Sequence, residues 1–303
     1  MTKVLFKSRI EAIIASSIIL VGVIAFVANV AADAVSTSVT VSNAAPVVSG
    51  VTFNSGAAIT LTENTTRTVY ATSTVTDANG CSTIAAVSAD FHRNGIATSS
   101  CNTIGQANNS NCYPAVTCTV VSGTCTGGSD TAADYVCSTA LQYYADPTDS
   151  GTYAAQTWTA DIAAGDGVAT TSGSGLAEVN TLKALDVTAS MNYGTLAAGS
   201  NTAAVNSTTT VTNTGNSTMD PLISGTDMTS GINTLTVGNQ KYASSTFTYA
   251  TGGTALSTTP TAAAINLAKP TGAAVTGNVS WGINVPNGTV PGSYSGTNTF
   301  TAN

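Results

Sequence analysis

The most reactive side chains in this chain belong to six cysteines, all between positions 81 and 137. They are Cys81, Cys101, Cys112, Cys118, Cys125 and Cys137. Thiols this close together either bind zinc or pair as disulfides. Zinc sites usually present cysteines two to four residues apart, often with histidines, but the spacing here is wider and the chain has one histidine, His92. An even number of cysteines in a segment rich in Ser, Thr and Asn therefore predicts three disulfides, formed in an oxidising compartment.

Little else in the sequence could catalyse a reaction. His92 ends an alternating apolar segment beside Arg93, where we expect it to be solvated. Neither a G-x-S-x-G nucleophile motif nor a G-x-x-x-x-G-K phosphate loop occurs, and beyond residue 34 the only glutamates are Glu63 and Glu178. We predict a non-enzymatic protein without a cofactor. A secreted hydrolase built on His92 and turn aspartates is a third alternative, behind the two functions described below.

Aspartates in predicted turns are the remaining candidates for binding a ligand. Calcium takes six to eight oxygen ligands, and turn aspartates of β-sandwiches sometimes supply them. The candidates are Asp77, Asp146 and Asp149. Aspartates in turns more often accept hydrogen bonds from their own backbone, so we predict no metal site and keep these three as weak calcium candidates.

The charge of the chain excludes one class of partner. Only 8% of the residues are charged, and the formal net charge is −7 with eight Lys and Arg residues in total. An acidic chain with few cations does not collect phosphate backbones, so we predict no binding to nucleic acid. Six N-x-Ser/Thr sequons permit glycosylation, but in a chain this rich in Asn, Ser and Thr several arise by chance. They start at Asn64, Asn108, Asn206, Asn216, Asn278 and Asn287.

The first 34 residues have the pattern of an export signal. Three basic residues come first, an apolar run follows over residues 12–28, and residues 32–34 (ADA) are small enough for cleavage. The alternatives are an uncleaved anchor helix, because residues 12–32 are long enough to span a bilayer, and a pilin-type leader with Glu11 beside the apolar run. We predict an extracellular or cell-surface protein that contacts the membrane only if residues 1–34 are retained.

Residues 35–45 alternate like a β-strand ahead of the first clear domain. Valine or threonine occupies the odd positions and a hydroxyl side chain the even ones, over Val35, Ser36, Thr37, Ser38, Val39, Thr40 and Val41. The segment is either the first strand of that domain or a free strand that adds to the sheet edge of a neighbouring molecule. We name it as the candidate assembly strand.

The rest of the chain predicts an all-β fold. Short alternating segments separated by turn residues recur from residue 46, and no helical periodicity is found beyond residue 32. Val69, Ala71, Ser73 and Val75 share one face of such a segment. About seven strands fit residues 46–163, which predicts an antiparallel β-sandwich carrying all the cysteines.

A second sandwich without cysteine is predicted over residues 181–303, where Val279, Trp281, Ile283 and Val285 form an inward row. Residues 164–180 between the two are small, polar and rich in glycine, and we predict a linker there. The fold class is thus two tandem immunoglobulin-like antiparallel β-sandwiches, preceded by an N-terminal apolar signal or anchor helix.

Six cysteines allow 15 pairings. In an immunoglobulin-like strand order, the turn ending at Cys81 and the loop between Cys101 and Cys112 lie at one end of the first sandwich. Cys125 and the start of the Cys137 strand lie at the other end. We therefore expect a Cys125–Cys137 bridge, with the other four cysteines pairing among themselves.

Several stretches share a common pattern of strands and turns. They are ITLTEN (59–64), VTDANGC (75–81), QYYAD (142–146), LDV (185–187), YGTL (193–196), VTNTGN (211–216) and GSYSGT (292–297). Together they resemble the disulfide-bearing immunoglobulin-like modules of surface proteins from uncultivated bacteria and archaea. The resemblance covers most of residues 46–303 and implies a structural or adhesive component of the cell envelope, with no catalytic residues to carry over.

From these features we predict a structural subunit of a cell-surface layer, fibre or pilus that assembles with copies of itself through strand edges. Polar, threonine-rich strands with few charges favour this reading, because monomeric proteins usually guard their edges with charge. The alternative is an adhesin that binds glycans or a protein of a host or partner cell through the disulfide-braced loops. Other envelope proteins are further candidate partners.

Overall fold

The computed structural model describes residues 35–97, 101 and 109–303, and its regular elements are short β-strands with a few 3-10 turns. The all-β prediction is confirmed for these residues, whose sheets are all antiparallel. The predicted signal peptide or anchor, residues 1–34, lies outside them. Among the described residues we find no helix with the length and apolar character needed to cross a membrane.

The chain divides into a unit of residues 1–42 and a compact unit of residues 43–303. In the larger unit the buried apolar side chains form two clusters. We call residues 43–182 the first lobe and residues 183–303 the second lobe. Residues 35–46 form no strand. The first of our two interpretations of residues 35–45, as the first strand of the domain, is therefore wrong.

The first lobe consists of two four-stranded sheets packed face to face. One has the order β1-β2-β6-β5 and the other β4-β3-β7-β8. The strands are β1 Val47–Phe53, β2 Thr66–Thr76, β3 Ala86–Arg93, β4 Cys112–Thr117, β5 Thr119–Val120, β6 Ala132–Gln142, β7 Trp158–Gly165 and β8 Thr170–Ala177. Val69, Ala71, Ser73 and Val75 are all buried, as their alternation predicts.

Residues 164–180 are not the linker that we predicted, because most of them belong to the first lobe. Strand β8 pairs with β7 over its whole length, from Gly165↔Thr170 to Trp158↔Ala177. Its glycines allow β8 to lie close to β1, since a Cβ on Gly175 would come within 3.0 Å of the Phe53 nitrogen. Glycine inside a strand often marks such a close approach of two backbones, and here the same composition suggested flexibility.

The second lobe has a larger sheet with the order β16-β15-β18-β11-β9, to which β10 adds at β18, and a three-stranded sheet with the order β17-β12-β19. A separate hairpin is formed by β13 and β14. The strands are β9 Leu185–Val187, β10 Ser200–Asn201, β11 Ser207–Asn213, β12 Leu222–Gly225, β13 Met228–Ser230, β14 Asn233–Leu235, β15 Gln240–Ala243, β16 Thr254–Ala255, β17 Thr261–Ala262, β18 Val275–Val285 and β19 Asn298–Thr301.

The core of the second lobe is organised around Trp281 on β18. Its ring packs against Tyr242 and Phe300, at centroid distances of 5.7 and 6.1 Å. Val279 and Ile283 are buried on the same face, as predicted, while Val285 is partly exposed. This cluster joins the two sheets without any disulfide.

Candidate functional site

The disulfides are all in the first lobe, and the predicted Cys125–Cys137 bridge is wrong. Cys137 lies on β6 and pairs with Cys118, at a Cα–Cα distance of 4.2 Å. The short strand β5 explains this pairing, because Thr119 lies opposite Val136 and Val120 opposite Tyr135. That register places Cys118 directly across from Cys137, inside the hydrophobic core.

The other two bridges tie loops to the sandwich. Cys125 pairs with Cys81, because the antiparallel pairing of β2 with β6 brings the loop after β2 next to the loop before β6. The Cys81 nitrogen also donates to the Asp130 carbonyl, at 2.7 Å. Cys101 pairs with Cys112 at the start of β4. All six cysteines are paired, which suits an oxidising compartment.

His92 is buried, not solvated as we expected. It is 5% exposed, and its Nε2 lies 2.9 Å from Oδ2 of Asp161 on the neighbouring strand β7. Its Nδ1 lies 3.1 Å from the Arg93 carbonyl oxygen. The contact depends on the pairing of β3 with β7. It could therefore not be predicted from the residues next to His92 in the sequence.

His92 does not form a nucleophile–base pair with the nearby hydroxyl of Ser174. Ser174 donates its hydroxyl to Oδ1 of Asp161, on the side opposite to the histidine contact. The carboxylate therefore lies between the serine and the histidine. In a nucleophile–base pair the histidine must contact the hydroxyl itself in order to accept its proton.

The densest group of buried charges surrounds Asp146. Its Oδ2 accepts a hydrogen bond from Nε of Arg93 at 2.9 Å, and its Oδ1 lies 3.0 Å from Nζ of Lys269. Asp146 and Arg93 are 5% and 6% exposed. The Arg93 guanidinium also stacks on the Tyr153 ring, 3.7 Å from its centroid. Both carboxylate oxygens thus contact cations of the protein, which leaves Asp146 poorly suited to calcium.

Lys269 belongs to the second lobe and links it to the first. Besides contacting Asp146, its ammonium donates to the carbonyl oxygens of Tyr144 at 2.7 Å and Pro270 at 3.1 Å. Burial lowers the pKa of Lys269, and the Asp146 carboxylate acts in the opposite direction. The net result is a pKa below the ordinary value of a lysine, and the Asp146 carboxylate is the main influence that opposes this decrease.

Asn216 forms a second link between the lobes. Its amide nitrogen donates to the carbonyl oxygens of Ala145 and Asn180, at 3.1 and 3.0 Å, and its amide oxygen accepts from the Leu182 nitrogen at 2.6 Å. The side chain is fully buried. This sequon is consequently inaccessible to a glycan in the folded protein, and Asn216 links the two lobes through buried hydrogen bonds.

The other calcium candidates accept hydrogen bonds from the protein itself, Asp77 within its own turn and Asp149 from a residue distant in sequence. Asp77 accepts a hydrogen bond from the Asn79 nitrogen at 2.8 Å, and Asp149 accepts from both the nitrogen and the hydroxyl of Thr181. Within the described part of the chain, no three His, Cys, Asp or Glu side chains come together as metal ligands would. The aspartates act as structural acceptors, as is common in turns.

The hydrogen bonds of Asp149 predict a loss of stability in acid. Burial raises the pKa of Asp149, the hydrogen bonds from Thr181 lower it, and the result lies below the ordinary value of 3.8. A group whose pKa is lower in the folded state binds more protons when unfolded, so stability falls as the pH decreases through that value. We expect the free energy of unfolding to decrease below about pH 3.8, and Thr181→Val to make that decrease shallower.

Denaturant unfolding at several pH values measures this effect. The matched control is Thr188→Val, which removes a hydroxyl that contacts only backbone groups of Thr210. An identical pH profile for Thr181→Val and wild type would show that the contact with Asp149 does not stabilise the fold.

A cleft of about 920 Å³ opens on one side of the second lobe. Its walls are residues 187–198, which begin at the last residue of β9, and residues 289–298, which end at the first residue of β19. Trp281 and Ile283 contribute to its lining. The cleft thus lies between the edge strands of the two sheets, next to the hydrophobic core.

The lining of this cleft contains no charged residue. Tyr193 donates its hydroxyl to the side-chain oxygen of Gln240 at 3.0 Å, and burial raises the pKa of this phenol. The side-chain nitrogen of Gln240 is buried without a partner among the described residues. Such a surface suits a neutral ligand with apolar groups and hydrogen-bond acceptors, because it has no charge to pair with an ionic one.

No family model and no curated protein matches this chain. Among solved structures, it is similar to the CsuC–CsuE chaperone–tip adhesion subunit pre-assembly complex of archaic Csu pili from Acinetobacter baumannii. The identity is 11% and the TM-score 0.37, over 83% of this chain and 99% of that one. A chimeric titin Z1Z2–Z1Z2 tandem gives 12% identity and a TM-score of 0.20, over 84% and 96% of the two chains. Similarity at this level does not establish a common fold.

Proposed function

We propose that this protein is a secreted, non-enzymatic structural subunit of a cell-surface layer, fibre or pilus, built from two tandem immunoglobulin-like sandwiches. Its principal partner is a second copy of the same chain, and the contacts are made through β-strand edges. The three disulfides support a location outside the cytoplasm.

The observation that carries this proposal is the exposure of the candidate assembly strand. Val35, Val39 and Val41 are 83%, 87% and 76% exposed, although they share one face of an alternating segment. Residues 35–46 form no strand in the described structure. Valines on one face of an uncharged segment that forms no strand, here residues 35–41, suit a strand that pairs with another molecule.

Three edge strands of the second lobe are also open to pairing. Proteins that stay monomeric usually place lysine, proline or an inward charge on exposed edge strands. The edge strands β16, β17 and β19 carry no charged residue (TA, TA and NTFT). These short edges favour contacts between molecules.

The links between the lobes support a mechanical role. Lys269 at a partly buried position and Asn216 at a buried one connect the two lobes through hydrogen bonds. A jointed pair of sandwiches would bend under load, whereas buried hydrogen-bonded links restrict that motion. A building block of a fibre or layer benefits from such a fixed angle.

An adhesin remains the alternative, because the Cys81–Cys125 bridge holds an exposed loop. Residues 119–123 and 126–129 of this region are exposed. Loops on a rigid sandwich often carry recognition. In this alternative the protein is monomeric and binds glycans or a protein of a partner cell through that surface.

Self-association of the purified full chain tests the proposal. We expect large oligomers by light scattering, and filaments or lattices by electron microscopy under non-reducing conditions. Deleting residues 35–45 should leave a folded protein of much smaller size, whereas replacing the exposed Ile232 by serine should leave assembly unchanged. A wild-type chain that remains monomeric would contradict the structural role and favour the adhesin.

A further inference from the structure

The sheets of the two lobes have a similar spatial order of strands, although β10, β16 and the β13–β14 hairpin have no counterpart in the first lobe. In the first lobe the sheet β1-β2-β6-β5 packs on β4-β3-β7-β8. In the second lobe the corresponding sheets are β9-β11-β18-β15, extended by β16, and β17-β12-β19. Matched by their order, β19 corresponds to β7. The described residues of the second lobe contain no strand that corresponds to β8.

The contacts of strand β8 in the first lobe indicate which contacts a strand beside β19 would make in the second lobe. It pairs with β7 and lies against β1, so that it closes one side of the first lobe. In the second lobe, β19 pairs with β12 alone and β9 with β11 alone among the described strands. Val187 of β9 and Phe300 of β19 both line the cleft. The cleft is therefore the place where a strand beside β19 would lie.

We propose that this cleft binds residues 35–41 of a second copy of the chain as an added β-strand beside β19. The inference rests on the proposed function and names the surface by which the copies join. The segment has seven residues, about 23 Å when extended at ~3.3 Å per residue, and β8 has eight residues. The length therefore suits the position.

The chemistry of the segment matches that of the cleft. Val35, Val39 and Val41 on one face would meet apolar lining residues such as Leu196, Ile283 and Phe300. The hydroxyl side chains of the even positions would face solvent. Neither the segment nor the lining carries a charge, and the backbone of the added strand would pair with the open edge of β19.

The strand and the cleft are different surfaces, so each copy would offer one of each. Contacts of this heterologous kind continue from molecule to molecule unless a rotation closes them into a ring. The expected assembly is a fibre in which each copy completes the second lobe of the next.

Engineered cysteines in the full chain test this contact. The native cysteines are all paired, so Val39→Cys and Leu196→Cys would add two free thiols. We expect mild oxidation to produce a covalent ladder of dimers, trimers and longer species on a non-reducing gel. Val35→Cys and Val41→Cys, each combined with Leu196→Cys, test other alignments of the added strand along the cleft, with the same face directed inward. The control combines Val39→Cys with Ile232→Cys, which is 99% exposed and lies outside the cleft.

Charge substitutions provide a second readout. Val39→Asp would bury an unpaired carboxylate and should weaken assembly on the order of 100-fold, whereas Thr40→Asp on the opposite face should have little effect. A ladder with the control pair as strong as with Leu196→Cys would overturn the proposal. So would a cross-linked monomer in place of a ladder, which would show that the strand binds the cleft of its own chain.

These experiments distinguish a failure of the proposed cleft contact from a failure of the proposed structural function. If the wild type assembles but none of the three pairs forms a ladder and both Asp variants still assemble, the cleft is not the contact and other edges join the subunits. If the wild type does not assemble, the structural role and the strand-binding cleft are both wrong.

Discussion

Replacing Asp146 by alanine is expected to lower the free energy of unfolding by about 3–5 kcal/mol. The substitution leaves the buried guanidinium of Arg93 and the partly buried ammonium of Lys269 without their carboxylate. Removing one partner of a buried ion pair is costly because the remaining charge has lost both water and its counter-ion. Here two charges are affected by one change, and denaturant unfolding monitored by Trp281 and Trp158 fluorescence measures the loss.

Two comparisons make this result specific. Asp186→Ala removes an exposed carboxylate of β9 and should change stability by no more than about 0.5 kcal/mol. A triple variant with Asp146→Leu, Arg93→Met and Lys269→Met removes all three charges and should recover part of the loss, since apolar replacements of buried ion pairs are often tolerated. An effect of Asp146→Ala no larger than that of Asp186→Ala would show that the buried charges do not hold the lobes together.

Removing the Cys118–Cys137 disulfide by a double substitution to alanine is expected to cost about 2–5 kcal/mol. The bridge closes a loop with a sequence separation of 19, whereas Cys81–Cys125 spans 44. Loop entropy alone would therefore favour the longer bridge by about 0.7 kcal/mol. Cys118 and Cys137 are also part of the hydrophobic core, and their loss leaves a cavity.

We therefore expect the Cys118→Ala, Cys137→Ala protein to be less stable than the Cys81→Ala, Cys125→Ala protein. Unfolding of both by guanidinium under non-reducing conditions makes the comparison. The opposite order would mean that the restriction of the unfolded chain, and not packing, determines what each bridge contributes.

The strand faces could be predicted from the sequence because alternation is a local property. Val69, Ala71 and Val75 are buried for the reason that their spacing indicates, and so are Val279 and Trp281. The disulfide pairing could not be predicted in the same way. It depends on the short strand β5, whose two residues set the register that places Cys118 opposite Cys137.

The glycine-rich residues 164–180 show why composition alone led to the wrong prediction of a linker. Gly173 and Gly175 indicate a flexible linker when only their neighbours in sequence are considered. In the structure they lie where β8 approaches β1, and a Cβ at either position would press on Val48, Val51 or Phe53. The same residue type serves flexibility or close packing, and only the opposing strand distinguishes the two.

The sequence alone determined that the chain is all-β and that its thiols form disulfides, because alternation, turn residues and cysteine number act over a few neighbouring positions. Tertiary structure decided the partners of His92, Asp146 and the cysteines, and the open side of the second lobe. Arg93 and Lys269 reach Asp146 from distant parts of the chain. Contacts of that range follow from strand order and register, which strand-length patterns leave open.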